Sequence, residues 1–163
     1  MEKLKIGMCA ALVAGLFAIA PAHASGGGGG GMPMPSGSDE SDMKPSYRNA
    51  VKLVKAKRYQ EAIVMLEDLL KDDPHNPDIM NYLGFSYRKL GYLDNSAAYY
   101  KAALTVKADH LGALEYQGEL FLMQNDVASA EGNLARLASL CGDCDEYDDL
   151  KDAIEDYKEN HPA

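Results

Sequence analysis

The sequence predicts an all-α protein, an α-solenoid of about three helix-turn-helix repeats with a C-terminal capping helix. Two observations predict the helices. From Tyr47 onward apolar residues recur at spacings of three and four, and no alternating β-branched run of the kind a half-buried strand needs is present. A third observation predicts the solenoid: the sequence resembles itself at an interval of 34 residues, the length of one helical hairpin unit. Ala50, Gly84 and Gly118 stand at that interval, as do Leu53, Tyr87 and Phe121; Ala62, Ser96 and Ala130; Leu66, Tyr100 and Leu134; and Leu69, Ala103 and Leu137.

The first element is not expected to be part of the fold. Lys3 and Lys5 precede an apolar run from Ile6 to Ala20, and Ala22-His23-Ala24 forms a small-x-small cleavage site before Ser25. This pattern predicts a secretory signal peptide over residues 1–24, cut after Ala24. The run is too short to span a bilayer and Pro21 closes it. Cys9 lies inside the run and is expected to leave with it. Residues 25–45, SGGGGGGMPMPSGSDESDMKP, have no helical or strand period. They are expected to be a flexible tether, because they cannot bury enough apolar surface to offset their ordering entropy. Met32, Met34 and Met43 are soft donors, but a floppy spacer lacks the geometry a metal site needs.

The repeats are expected over residues 46–142, in units of about 43–76, 77–110 and 111–144. Small residues at Ala50, Gly84 and Gly118 would let the two helices of a hairpin approach, with Ala62, Ser96 and Ala130 doing so from the other helix. Gly91 ends one helix as a C′ glycine would, and Lys57-Arg58 and Asn125-Asp126 occupy the same turn in the other units. Pro74 falls where a helix must stop, and Pro77 where the next starts. Residues 145–160, DEYDDLKDAIEDYKEN, carry an apolar stripe of Tyr147, Leu150, Ile154 and Tyr157. The acids Asp148, Asp149, Asp152, Glu155 and Asp156 lie mostly off it. This segment predicts a seventh helix that closes the last repeat with a solvating face.

In these columns the sequence resembles the tetratricopeptide repeat family. The central unit carries the likeness best, with Tyr82-Leu83-Gly84, Tyr87, Ser96, Tyr100 and Ala103. The first unit keeps Tyr59, Glu61-Ala62, Leu66 and Pro74 but has Ala50 for glycine. The third keeps Gly118, Phe121, Ala130 and Leu134 but has Gly142 where proline is usual. The resemblance implies that the first helix of each unit lines a concave groove that holds extended peptides or partner segments. Matched position by position, it implies groove residues Tyr47, Arg48, Val51 and Lys55 in the first unit. In the second they are Asn81, Tyr82, Phe85, Arg88 and Lys89, and in the third Glu115, Tyr116, Glu119 and Met123. Asn81 stands out, because a side-chain amide can pair with both the C=O and the N–H of an extended backbone. Tyr82 and Phe85 also fit as core between adjacent units. Arg48, Lys55, Arg88 and Lys89 fit either as solvated charge or, if they converge, as a basic strip favouring a partner with a carboxylate.

The formal net charge of −9, from 25 acidic against 16 basic residues, argues against nucleic acid or an anionic membrane as partner. Catalytic signatures are absent from the sequence. His75, His110 and His161 stand with no nucleophile or metal-ligand spacing and read as solvated loop histidines. No cofactor is implied. The protein is therefore expected to be a non-enzymatic scaffold or adaptor, periplasmic or secreted, that binds another envelope protein or peptide without inserting in the membrane. The alternative is a small redox or metal-handling factor built on Cys141 and Cys144. That C-x-x-C pair lies between two expected helices and, outside the cytoplasm, is expected to form a structural disulfide, with redox-active and metal-bound or free thiols as the other readings.

Overall fold

The computed structural model describes residues 44–161. The expected signal peptide and the tether up to Met43 lie outside the described residues. Seven helices follow one another there: α1 (Pro45–Lys55), α2 (Tyr59–Asp72), α3 (Pro77–Lys89), α4 (Leu93–Val106), α5 (Leu111–Met123), α6 (Val127–Leu140) and α7 (Asp145–Asn160). Pro45, expected to close the tether, is instead the first residue of α1. There its fixed φ suits helix entry and its missing N–H costs nothing.

The interval of 34 is written into the backbone. Lys57, Gly91 and Asn125 stand one interval apart, and all have positive φ, at 59°, 82° and 62°. Each ends the first helix of a hairpin with the same pair of bonds. In the first turn Lys57 N donates to Val54 O and Arg58 N to Leu53 O; in the second Gly91 N donates to Arg88 O and Tyr92 N to Tyr87 O. In the third Asn125 N donates to Leu122 O and Asp126 N to Phe121 O. This is a Schellman closure. Asn125 tolerates the left-handed conformation and its Oδ1 also accepts from Tyr157 Oη at 2.8 Å. Lys57 has no such compensation, and a left-handed L-residue costs roughly 1–2 kcal/mol. Lys57→Gly is therefore expected to stabilise the protein by about 1 kcal/mol, read as a rise in the denaturation midpoint; an unchanged or lower midpoint would contradict the strain.

The second start signal repeats as well. Asn76 Oδ1 accepts from Ile79 N at 3.1 Å at the head of α3. One interval later His110 Nδ1 accepts from Ala113 N at 3.1 Å at the head of α5. One interval after that Cys144 is the N-cap of α7. By register α7 is thus the first helix of a fourth unit.

Helices pack with their chain neighbours, and the first helices also touch in order: α1 on α3, α3 on α5, α5 on α7. Gly84 is needed because a Cβ there would meet the Tyr100 ring of α4 at 2.6 Å. Gly118 has a different reason from the one its column suggests. The atoms its Cβ would meet, at 2.5 and 2.6 Å, belong to Leu150 of α7, so the glycine admits the capping helix. Leu150 and Ile154 are buried with Leu114, Leu122, Ala130 and Leu137, and Tyr147 and Tyr157 flank them. The expected apolar stripe is the contact face of α7. Lys158 reaches Glu131 of α6 at 2.6 Å. The sulfurs of Cys141 and Cys144 lie at bonding distance, 2.05 Å, across the α6–α7 turn.

Candidate functional site: the first-helix layer

The residues expected to line a groove fall on α1, α3 and α5, and the structure divides them by role. Tyr82, Phe85 and Tyr116 are core: each is about 1% exposed. Phe85 meets Tyr116 edge-to-face at 5.0 Å and Tyr59 at 6.1 Å, while Tyr82 meets Tyr47 at 5.9 Å. These rings stack unit on unit, the arrangement aromatic pairs prefer. Val51 is buried with them. Met123, at the end of α5, is half exposed.

The basic strip does not form as a continuous feature. Arg88 is buried and its guanidinium is bonded to Glu119 of α5. It also lies over the rings of Phe85, at 5.5 Å, and Tyr116, at 5.4 Å. A guanidinium so enclosed needs a carboxylate and polarisable faces to offset desolvation, and the partner stands on the next unit. Lys89 is exposed but lays its amine 5.1 Å from the Phe85 centroid; burial of that end, then the neighbouring Arg88, lowers its pKa. Lys55 is exposed and Arg48 half-buried on α1. Positive charge therefore gathers toward α1, and α5 with α7 is acidic.

Tyr47, Asn81 and Glu115 share one register, an interval apart on α1, α3 and α5. In each, a buried polar atom has no hydrogen-bond partner among the described residues: Tyr47 Oη, Asn81 Oδ1 and Glu115 Oε1. Asn81 and Glu115 are 1% and 2% exposed. A buried polar atom left unbonded costs about 1–3 kcal/mol, so three at one repeated position form a pattern. Burial, then Asp78 and Tyr82, holds the Tyr47 phenol above its ordinary pKa. Glu115 is pushed up to about 10, by burial first and then by Glu119, Asp149 and Glu146, with Arg88 opposing. It is a neutral carboxylic acid at pH 7.

His110 corrects the sequence reading. It is fully buried rather than solvated. With Nδ1 accepting from the backbone, Nε2 carries the proton and donates to Asp78 Oδ1 at 3.1 Å, which ties the head of α5 to the head of α3. The missed signal was register: His110 stands one interval after the cap residue Asn76. His75 and His161 are exposed. Arg88–Glu119 carried no such signal, because its two residues occupy different positions of the repeat. Among the described residues no group of three or more His, Cys, Asp or Glu is placed to hold a metal ion, and no helix is long and apolar enough to cross a membrane.

A family model described as tetratricopeptide repeat matches residues 53–94, and a second of the same description matches 86–143. Together they span more than half of the chain. No individually curated protein matches the sequence. Among solved structures, the translocator chaperone SycD of Yersinia enterocolitica type III secretion is similar at a TM-score of 0.65 and 16% identity, over 77% of this chain and 90% of that one. The first repeat domain of Spaghetti (RPAP3), bound to the HSP90 peptide SRMEEVD, is similar at 0.65 and 16%, over 79% and 100%. The first repeat domain of human RPAP3 is similar at 0.60 and 17%, over 71% and 94%. These likenesses are of fold. With two matching models laid over hairpins that share one interval, one turn and one capping position, the chain belongs to the tetratricopeptide repeat family.

Proposed function

We propose that the protein is a non-catalytic interaction scaffold that holds an extended segment of another protein along α1, α3 and α5. The observation that carries this reading is the row of unbonded polar atoms at Tyr47, Asn81 and Glu115. An extended main chain offers an N–H and a C=O at every residue, and a repeated polar position meets such a ligand at regular steps without reading its side chains. Two of the similar structures support the reading by what they hold or serve: one repeat domain is bound to an HSP90 peptide, and SycD is a translocator chaperone.

The cell envelope is the proposed place of action. Lys3, Lys5, the apolar run Ile6–Ala20 and the site before Ser25 support export, and the partner is accordingly proposed to be an envelope protein. The acidic net charge supports a protein rather than a nucleic acid. In this reading the Cys141–Cys144 pair, at the α6–α7 turn, is structural.

Selection of displayed peptides against the folded repeats tests the site. Binders are expected to lose at least tenfold in affinity, about 1.4 kcal/mol, on Asn81→Ala, with circular dichroism showing the helices intact. Binders indifferent to Asn81→Ala and to Tyr47→Phe would place the contact elsewhere.

A further inference from the structure

We propose that copies of this chain stack end to end, the α1 face of one on the α7 face of the next, so that the row α1, α3, α5, α7 continues into a second molecule. This surface is separate from the groove and does not depend on the scaffold reading.

Each later first helix is seated on the one before it by the same two positions. At the first, Tyr82 meets Tyr47, Tyr116 meets Phe85, and Leu150 fills the space over Gly118. At the second, one turn on, Ser86, Leu120 and Ile154 are buried. On α1 these positions are Arg48 and Lys52, and Lys44 and Lys55 extend the stripe at helical spacing. Residues 44–58 hold six cations and no acid. At the other end, the positions that receive the next helix, those of Tyr47, Gly118 and Phe85, fall on α7 at Asp149, Asp152 and Ala153. Asp145, Asp148 and Asp156 flank them, all three exposed.

The end of a solenoid needs a polar face to meet water, but that need sets no sign. Here one end is basic and the other acidic, at the positions through which neighbouring units already pack, and a second copy offers both faces in that register. Arg48, Lys55 and Asp149 also have partners within their own chain. The docking charge is therefore carried by Lys44 and Lys52 against Asp145, Asp152 and Asp156, all exposed. Opposite charges alongside are engaged: Glu61 with Arg58, Lys151 with Glu155 and Lys158 with Glu131. Because the two faces differ, the contact is heterologous and does not close at two copies.

The test uses the whole protein in sedimentation equilibrium. At about 0.1 M salt, where a screening length of about 10 Å quiets the net charge but not groups in contact, the average mass is expected to rise with concentration past a dimer's. At about 1 M salt it should return to the monomer's. Lys44→Glu with Lys52→Glu, or Asp152→Lys with Asp156→Lys, should each weaken association at least tenfold, with circular dichroism showing the helices intact. An equimolar mixture of the two variants should associate again, because the first keeps its α7 face and the second its α1 face. Each double change moves the formal charge of −9 by four, so both variants stay acidic and bulk charge does not draw them together. Carbodiimide coupling of isotope-labelled with unlabelled protein should join Lys44 or Lys52 of one copy to Asp152 or Asp156 of another. A monomer at both salts, a mass that levels at the dimer, association unchanged in either variant, or a mixture no stronger than its components would overturn the proposal. Coupling of Lys44 or Lys52 to Asp39, Glu40 or Asp42 of the same chain, in place of α7, would assign the α1 face to the preceding segment and overturn it as well.

Discussion

Leu150→Ala is expected to cost about 3 kcal/mol, and to cost it unevenly along the chain. Leu150 is fully buried and is the side chain that α7 sets against Gly118. Removing it leaves a cavity at the one helix that closes the third unit. Amide exchange should accelerate throughout α7 and the adjoining part of α5 and α6, with α1 and α2 nearly unchanged, because no contact joins α7 to either. The complementary change, Gly118→Ala, places a methyl within 2.6 Å of both Leu150 δ-carbons and is expected to cost about 2 kcal/mol. Since the clash needs Leu150, the double variant should be more stable than the sum of the two single losses by about 1 kcal/mol. Additive losses, or exchange that rises equally in every helix, would show that α7 does not act as the local lid on α5.

The second large effect is the pH dependence that Glu115 imposes on stability. Its folded pKa, about 10, lies above the ordinary value of 4.5, so from about pH 5 to about pH 10 the folded state holds a proton that the unfolded state has released. The stability this group allows is therefore complete below the unfolded pKa and declines as pH rises. Glu115→Gln removes the dependence. Wild type and variant should unfold alike at pH 4, and the variant should become the more stable one above it. The gap should widen by at most about 1.4 kcal/mol per pH unit. Urea titrations at pH 4, 6 and 8 measure it, and parallel curves would mean that Glu115 ionises freely in the folded protein.

The backbone of this fold was legible because its signals repeat. One glycine at position 91 is a weak sign of a turn, but Lys57, Gly91 and Asn125 at a fixed interval reinforce one another, and all three adopt the same left-handed closure. The stripe Tyr147, Leu150, Ile154 and Tyr157 was legible for the ordinary reason that a helix with one apolar face must cover it. What could not be read was pairing between units at different positions. Arg88 meets Glu119 because α3 and α5 lie side by side with a particular stagger, and nothing in a column of matched residues states that stagger. Gly118 shows the same limit, since its column correctly demands a small residue, yet the crowding atom comes from α7 rather than from α6. The polar row Tyr47, Asn81 and Glu115 was visible as candidates on the strength of the family resemblance. Its distinguishing property, an unmet bond in each, needed the packed neighbours.

The ordered touching of α1, α3, α5 and α7, with no contact between α1 and either α5 or α7, makes the domain behave as a short coil spring. Its curvature is set step by step at the three junctions between neighbouring first helices, and among the described residues no strut braces one end against the other. A segment laid from the basic side near α1 to the acidic side near α7 would supply that strut. The occupant would then set the pitch of the coil, and the empty protein would hold a range of pitches in reserve.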